Sequence, residues 1–319
     1  MSNAILVAGS ANLDFVVRAA HVPAPGETVL GREFATFPGG KGANQAVACA
    51  RAGGATTRML LALGEDPYAA PLEASLRGAG VELHVVRTRE TATGTAFICL
   101  ADDAENAITV APGANALLRA EHLPPLAGVS HLLLQLETPI DTVTAYAVAA
   151  RAAGVTVVLN AAPARELPTA LLDALDVLIV NEGELATITT GLRGRIAEAL
   201  THLAVPCVIV TLGARGACAR ARGEFHLRAA YRVRPVDTTG AGDTFCGAFT
   251  AASCQGSDLP DALAFASAAG ALATTRLGAQ TGVPARDEVE KFRRAQTAIA
   301  DDDALRQLAA YCGLENRSV

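Results

Sequence analysis

Short apolar runs alternate along this chain with longer segments of helical spacing, and this alternation constrains the fold more than any other feature. The runs are nearly continuous in apolar residues, which is typical of strands buried on both faces. Six of them are residues 5–8, 58–63, 131–136, 155–159, 177–180 and 207–211. Strands and helices in alternation predict an α/β fold, a three-layer sandwich with helices on both faces of a mostly parallel sheet.

Helix ends are readable between these runs. Residues 41–52 form one predicted helix, stopped by Gly53 and Gly54, and Pro139 and Gly154 mark the start and end of another. Two regions break the alternation, at about residues 13–37 and 93–110. Both favour β-structure, and we expect them to pair as a small antiparallel sheet beside the main body.

Residues 217–236 are typical of an antiparallel meander at one edge of the large sheet. The chain has 319 residues, and we expect them to form a single domain. Hydrophobic residues make up 51% but aromatic residues only 4%, so the core must be built from Ala, Leu and Val. An acidic run at residues 301–303 is most simply a solvated surface.

Charge and cysteine usage exclude several classes of protein. A net charge of -6 argues against broad nucleic-acid binding, so any site for an anion must be built locally from backbone N–H groups and a few cations. Seven scattered cysteines without metal-ligand spacing indicate reduced thiols, as in the cytoplasm. No signal peptide or membrane-spanning run is visible in the sequence.

The segment DTTGAGDTF at residues 237–245 carries the clearest chemistry. Apolar residues follow it at helical spacing, so its glycines form a loop that enters a buried helix. The N–H groups at such an entry bind anions, and Asp243 would stand beside the bound charge. Asp243 is then either a general base in phosphoryl transfer or only a helix cap. The sequence has no Walker loop, since GxxxxGK followed by Ser or Thr does not occur, and the dinucleotide fingerprint GxGxxG fails here because position 245 is Phe.

Two further segments can hold a polyhydroxylated ligand. The first, GGKGANQA at residues 39–46, is another glycine-rich helix entry, with an ammonium and two carboxamides. The second, GSANLD at residues 9–14, ends the first strand, where Asn12 and Asp14 point the same way because they lie two residues apart. Each could also be an ordinary junction between elements.

Together these segments resemble the ribokinase family of carbohydrate kinases, over residues 9 to about 284. The two glycine-rich segments are similar to the two family signatures, and LQLE at 134–137, NAAPA at 160–164, NEGE at 181–184 and TLGARG at 211–216 follow the family's order. The resemblance implies that Asp243 is the catalytic base and that the amides of Gly240, Ala241, Gly242 and Asp243 form the anion hole. It implies that the sugar is held by Asn12, Asp14, Gly40, Lys41, Gly42, Asn44 and Glu137.

The resemblance also implies a nucleotide site and a site for a monovalent cation. The nucleotide positions are Asn181 and Glu184, near the phosphates and magnesium, together with Thr211, Gly213, Ala214, Arg215, Gly216, Gly242 and Ser267. Potassium would be held, largely by backbone carbonyls, in a loop pair that contains Asp237, Thr239, Ala273, Arg276, Gly278 and Gly282. At the position of Gly282 the family often has a serine. The implied ligand there is a main-chain oxygen, so the change of side chain should not prevent cation binding.

The expected activity is ATP-dependent phosphorylation of D-ribose at O5, with Mg²⁺ and K⁺ as cofactors. A kinase of another sugar or nucleoside, or a non-catalytic sensor on the same fold, are the alternatives. Residues 13–37 and 93–110 match the family's β-lid, which in that family also forms the contact of a homodimer. The tail after about residue 298 has no usable family counterpart.

Overall fold

The computed structural model of the protein describes residues 3–102, 105–189, 195–297 and 302–315. Its strands are β1 (Ala4–Ala8), β2 (Asn12–Ala19), β3 (Glu33–Gly39), β4 (Thr57–Gly64), β5 (Glu82–Thr88), β6 (Gly94–Ala101), β7 (Asn106–Ala111), β8 (Val129–Leu134), β9 (Thr156–Asn160), β10 (Val177–Asn181), β11 (Cys207–Thr211), β12 (Gly216–Ala221) and β13 (Glu224–Ala229). Its α-helices are α1 (Lys41–Arg51), α2 (Ala69–Gly78), α3 (Ile140–Ala152), α4 (Thr169–Ala174), α5 (Glu182–Ile188), α6 (Ile196–His202), α7 (Ala241–Cys254), α8 (Leu259–Ala273), α9 (Arg286–Thr297) and α10 (Asp302–Cys312).

The large sheet has the strand order β13-β12-β11-β10-β9-β8-β1-β4-β5. Every pairing from β11 to β5 is parallel, and β12 and β13 complete one edge in antiparallel pairings. The mostly parallel sheet and its antiparallel edge are therefore confirmed, although residues 230–236 of the predicted meander lie outside strands. Strand β5 was not predicted, because Glu82 and Arg87 interrupt its apolar run at the opposite edge.

Helices cover both faces of this sheet, as predicted. In β1, Ile5 and Val7 belong to one buried cluster, which includes residues of α1, α2, α7 and α8. Leu6 and Ala8 belong to a second cluster, with residues of α3, α4, α6 and α10. Successive side chains of a strand point to opposite faces, so a strand buried on both sides must be apolar throughout.

Helices α1 and α7 approach each other closely because Gly247 has no side chain. A Cβ at Gly247 would lie 2.5 Å from both the Gln45 carbonyl oxygen and the Ala48 Cβ. Cys49 Sγ donates a hydrogen bond to the Gly247 carbonyl oxygen across 3.4 Å. This contact places the start of α7 beside the start of α1, where the two glycine-rich segments meet.

A second, smaller sheet has the order β3-β2-β6-β7. The predicted segments do pair, through antiparallel β2–β3 and β6–β7 and through a central β2–β6 pairing that is parallel. Phe15 stacks on Phe97 at 5.4 Å between ring centroids and meets the edge of Tyr68, beside α2, at 5.5 Å. These rings connect the small sheet to the main body. Residues 103–104, between β6 and β7, lie outside the described residues.

The C-terminal part of the chain forms a helix that sequence patterns did not indicate. Asp302 and Asp303 are exposed, as expected for a solvated acidic run, and they start α10, where negative charge is favourable. Asp301 lies outside the described residues. All seven cysteines carry free thiols. Across the described residues, no helix combines the length and the apolar character needed to span a membrane.

Candidate active site

Asp243 lies in the first turn of α7, directly after the glycine loop. Gly240 precedes the helix in the left-handed region at φ 72°, and a Cβ there would lie 2.8 Å from the Ala279 Cα. Only glycine fits both the conformation and the space. In the described structure the N–H groups of Gly242 and Asp243 make no hydrogen bond, as expected for the first turn of a helix. These free donors, with the helix dipole behind them, can bind an anion.

Two carboxamides of α1 hold the Asp243 carboxylate in place. Asn44 Nδ2 donates to Asp243 Oδ2 at 3.0 Å, and Gln45 Nε2 donates to Asp243 Oδ1 at 2.9 Å. Burial raises the pKa of Asp243, while the Lys41 ammonium and these two hydrogen bonds lower it. A buried carboxylate with fixed oxygens and a raised pKa is suited to accept a proton. Ligand binding by these two carboxamides stays a prediction; in this structure both also position Asp243.

A chain of buried amides and a hydroxyl supports these contacts, and the sequence analysis did not identify its members. Gln135 Nε2 donates to Gln45 Oε1 at 2.7 Å, and Gln45 Nε2 also donates to Asn160 Oδ1 at 2.9 Å. On the other side, Gln280 Nε2 donates to Asn44 Oδ1 at 3.1 Å, and Gln280 Oε1 accepts from Ser75 Oγ at 2.6 Å. Gln135 and Asn160 lie within the LQLE and NAAPA segments, which were their only sequence signal.

Asn12 and Asp14 begin β2, at the junction between the large and small sheets. Asn12 Oδ1 accepts from Asn115 Nδ2 at 2.8 Å, and Asn115 Oδ1 accepts from the Ala11 N–H at 3.0 Å. The Asp14 carboxylate lies against Gly39, where a Cβ would be 2.1 Å from Oδ2. Asn115 thus orients Asn12, although no sequence motif around Asn115 indicates this role.

Glu137 connects the end of β1 to the start of α1. Its Oε2 accepts from Ser10 Oγ at 2.6 Å and from the Lys41 N–H at 3.0 Å. Ser10 Oγ in turn accepts from the Gly42 N–H at 3.2 Å. Glu137 Oε1 makes no hydrogen bond to described residues, so it can accept one from a ligand hydroxyl.

The charged residues of this region affect one another. Burial and the negative charges of Glu137 and Asp243 raise the pKa of Asp14 to about 7. The charge of Asp243 raises the pKa of Lys41 and keeps it an ammonium, with support from Glu137 and Glu184. Carboxyl groups can accept hydrogen bonds from sugar hydroxyls, and the Lys41 ammonium can attract a phosphoryl group.

A cavity of about 990 Å³ opens on the other side of the Asp243 loop, between α7, α8, β12 and α10. It brings together seven of the predicted nucleotide residues: Thr211, Gly213, Ala214, Arg215, Gly216, Gly242 and Ser267. Thr238 and Ala241 also line it, so the free N–H groups of the α7 start lie at its wall. The volume suits a nucleoside triphosphate.

Asn181 and Glu184 do not line this cavity and instead form a capping box at the start of α5. Asn181 Oδ1 accepts from the Glu184 N–H at 2.8 Å, and Glu184 Oε2 accepts from the Asn181 N–H at 2.7 Å. Burial raises the pKa of Glu184, which the Lys41 and Asp243 charges also influence. The pair therefore lies within electrostatic range of the site, while its contact with phosphates stays a prediction.

The predicted cation loops lie directly behind the anion-binding turn. Asp237 accepts from the Thr239 and Gly278 N–H groups at 2.9 and 2.8 Å. A Cβ at Gly282 would lie 2.6, 3.2 and 3.5 Å from the carbonyl oxygens of Gly278, Ala273 and Arg276. Two of these oxygens, those of Gly278 and Ala273, also accept from the Gly282 and Arg276 N–H groups, and the binding of a monovalent cation here stays a prediction. The Arg276 guanidinium turns away to Glu288 and lowers its pKa to about 2, so only the carbonyl of Arg276 faces Gly282.

Comparisons with known proteins agree with this geometry. The family model described as pfkB family carbohydrate kinase matches residues 2–286. A ribokinase from Haemophilus influenzae is 36% identical over 92% of this chain and 99% of its own length. A deoxyribokinase from Salmonella typhi is 32% identical over 90% of this chain and 98% of its own. A solved Arabidopsis thaliana ribokinase complexed with ribose and ATP superposes with a TM-score of 0.84 at 34% identity, covering 92% of this chain and 99% of that one.

Proposed function

This chain belongs to the pfkB family of carbohydrate kinases and is an ATP-dependent sugar kinase, and we propose that its substrate is D-ribose, phosphorylated at O5. The observation that carries the proposal is the position of Asp243. Its carboxylate is held by Asn44 and Gln45 between a polar strand end, Asn12 to Asp14, and the 990 Å³ cavity. The relatives named as ribokinases, and the neighbour that binds ribose and ATP, support ribose as the sugar.

Asp243 acts as the general base in this proposal. The ribose O5 hydroxyl gives its proton to Asp243 as the bond from O5 to the γ-phosphorus forms and the bond from that phosphorus to the ADP oxygen breaks. Asn44 and Gln45 keep the carboxylate oxygens aimed at the hydroxyl, and the free N–H groups of Gly242 and Asp243 stabilise the charge on the transferred group. Lys41 adds positive charge at the same place.

Asn12, Asp14, Gly40, Lys41, Gly42, Asn44 and Glu137 form the ribose site in this proposal. The Asp14 carboxylate and Glu137 Oε1 accept hydrogen bonds from ring hydroxyls, and Asn12 is oriented for the same task by Asn115. Because the phosphoryl group must not pass to water, the small sheet acts as a lid that covers the bound sugar.

Two cations take part. Magnesium bound to ATP would neutralise charge on the phosphates, and Asn181 and Glu184 are the residues that would lie beside it. The carbonyl oxygens of Ala273, Arg276 and Gly278 hold potassium behind the anion-binding turn. The role of the potassium ion in this proposal is to fix the turn that carries the free N–H groups. Seven free thiols and the use of ATP fit the cytoplasm as the site of action.

A second copy of this chain covers the small sheet in our proposal. By strand register, Phe37 and Val110 lie on the same face as Asp14, and Ile108 follows two residues along β7. These three side chains are 39%, 42% and 54% exposed, unusually high for large apolar groups that share a face. A homodimer through this face would bury them and close the lids over the sugars.

The alternatives differ in what they require of the site. Another sugar or a nucleoside would use the same base and anion-binding turn, and the deoxyribokinase relative makes a deoxy sugar the nearest competitor. A non-catalytic sensor would have no use for a fixed buried carboxylate at the start of α7. One experiment separates these alternatives: ADP release with MgATP and a panel of ribose, 2-deoxyribose, hexoses and nucleosides. We expect the highest kcat/KM with ribose, and no ADP release with any of them would contradict a kinase.

A further inference from the structure

Helix α10 lies beyond the part of the chain that the family model matches, which ends at residue 286. Its inner side is nevertheless firmly packed. Leu308, Cys312 and the following Leu314 are buried, in the same cluster as Cys218 of β12. Arg195, before α6, donates to Glu315 at 3.2 Å. Helix α10 is thus an integral part of the described structure that the family pattern does not anticipate.

One face of α10 lines the proposed nucleotide cavity. The lining residues are Ala304, Gln307, Leu308 and Tyr311. Residues three or four positions apart lie on the same face of a helix, so these four side chains form one surface. Gln307 is exposed to the cavity, and its carboxamide makes no hydrogen bond to described residues. Its carboxamide therefore offers both a donor and an acceptor to a ligand, whereas the Tyr311 hydroxyl already donates to Glu182.

Tyr311 joins α10 to two of the predicted nucleotide segments. Its hydroxyl donates to Glu182 Oε1 at 2.6 Å, next to Asn181 in the NEGE segment. The Arg215 guanidinium of the TLGARG segment stacks on its ring, with Cζ 4.2 Å from the centroid. A residue outside the family match therefore contacts the TLGARG segment, which lines the cavity, and the neighbouring NEGE segment. Cation–π stacking and a hydrogen bond together fix the ring's position.

We infer that α10 is an added wall of the ATP pocket, on which Gln307 hydrogen-bonds the edge of the base and Tyr311 positions the surrounding segments. The inference rests on the proposed function, because it takes the cavity to be the ATP site. The anion-binding turn would hold the phosphates at the free Gly242 and Asp243 N–H groups, so the nucleoside extends away from them into the space that α10 bounds. A carboxamide matches the adenine edge, which presents an amino donor beside a ring nitrogen acceptor.

The test compares Gln307→Ala, Tyr311→Ala and Tyr311→Phe with Arg306→Ala, a matched control. Arg306 is on the same helix but faces a different groove, beside Phe225 and Leu227. ADP binding is measured by calorimetry without any sugar, and KM for ATP and for sugar are measured separately. We expect Gln307→Ala to weaken ADP binding and raise KM for ATP about 3- to 10-fold, the worth of one hydrogen bond. KM for sugar should not change.

Three further readouts distinguish a pocket wall from a merely structural helix. Gln307→Ala should reduce the preference for ATP over ITP, which lacks the adenine amino group, while Arg306→Ala should not. Tyr311→Phe, which keeps the ring over Arg215, should retain most of the affinity that Tyr311→Ala loses. If Tyr311→Ala fails to fold, Tyr311→Phe and Gln307→Ala still test whether α10 contributes to nucleotide binding. ADP should also slow amide hydrogen exchange in residues 302–312 of the unaltered protein.

The possible failures are distinguishable. If the unaltered protein binds neither ADP nor ATP, the proposed function fails, and the inference fails with it. If the protein binds ADP normally but Gln307→Ala and Tyr311→Ala match Arg306→Ala in affinity, the inference is wrong while the kinase proposal stands. Unchanged ATP-to-ITP preference in Gln307→Ala would overturn its contact with the base.

Discussion

Asn44 and Asp243 lie 199 positions apart in the sequence, yet their side chains form a buried hydrogen bond of 3.0 Å from Nδ2 to Oδ2. The bond joins the two glycine-rich segments, one at the start of α1 and one at the start of α7. It forms because Gly247 lets the two helices approach. The orientation of the proposed base is therefore a product of helix packing, and neither segment could provide it alone.

Asp243→Asn should keep the fold and ADP binding but lower kcat on the order of 10²–10⁴-fold, the usual worth of a general base. The substitution keeps the size of the side chain and removes the group that accepts the proton. The measurements are kcat with saturating substrates, ADP binding by calorimetry and the melting temperature. Turnover close to that of the unaltered protein would mean that Asp243 only caps α7.

Gln45→Met should move the acidic limb of the kcat–pH profile to higher pH. Gln45 donates to Asp243 Oδ1 and so lowers the pKa of that carboxyl. Without this donor the pKa rises further, and a smaller fraction is ionised at a given low pH. The variant should also be less stable by about 1–3 kcal/mol for each polar partner left unpaired. Gln255→Met is the control, since Gln255 bonds Gly53 at the far end of α7. Identical pH profiles would show that Gln45 does not tune Asp243.

The parallel sheet and the two glycine-rich segments could be predicted from sequence because each depends on local patterns. Continuous apolar runs indicate strands buried on both faces, and glycines before a helical pattern indicate a loop at a helix start. Asp243 stands out because it follows such a loop. The same reasoning assigned the two carboxamides at 44–45 to a ligand, although in the structure both contact Asp243.

Other parts of the site could not be predicted because they depend on contacts between distant segments. Asn115 orients Asn12 from 103 positions away, and no motif surrounds it. Helix α10 has ordinary amphipathic spacing, and only packing against the sheet places Gln307 and Tyr311 at the cavity. The capping role of Asn181 and Glu184 was readable in principle, since Asn followed three residues later by Glu is a helix-start signal.

Potassium should raise the rate relative to sodium or tetramethylammonium buffer. The carbonyl oxygens of Ala273, Arg276 and Gly278 converge on Gly282, behind the turn that holds the anion-binding N–H groups. A cation held there would fix the turn and add positive potential. Gly282→Val should remove the potassium effect, because its side chain fills the space between the carbonyls. Equal rates in all three buffers for the unaltered protein would contradict the proposed site.

Asp14→Asn should stabilise the protein more at pH 8 than at pH 5. The folded-state pKa of Asp14 is about 7, above its ordinary value of 3.8, so the folded protein binds this proton more tightly than the unfolded chain. Stability from this group is therefore lost as pH rises through 7, and Asn removes the loss. Between pH 5 and pH 8 the gain in unfolding free energy should grow on the order of 2–3 kcal/mol.

The measurement is urea denaturation of both proteins at the two pH values, with Asp173→Asn in α4 as an exposed control. A gain that is the same at both pH values would mean that Asp14 titrates normally. A greater gain at pH 5 would reverse the sign of the argument. A larger gain at pH 8 would show that the ionised Asp14 side chain lowers the stability of the folded protein. Such a cost is expected for a buried carboxylate that is kept to bind a ligand.

D-Ribose should be preferred over 2-deoxyribose, and the preference should depend on Asp14. A buried acceptor left unpaired by a missing hydroxyl costs roughly 1–3 kcal/mol, which is about 5- to 150-fold in kcat/KM. The test is kcat/KM for both sugars in the unaltered protein and in Asp14→Ala, with KM for ATP as an internal control that should not change. Asp14→Ala should lose most of its activity on ribose and much of the discrimination between the sugars. If the unaltered protein ignores the missing hydroxyl, or prefers the deoxy sugar as the Salmonella typhi relative's name implies for that enzyme, the ribose proposal fails while the kinase assignment stands.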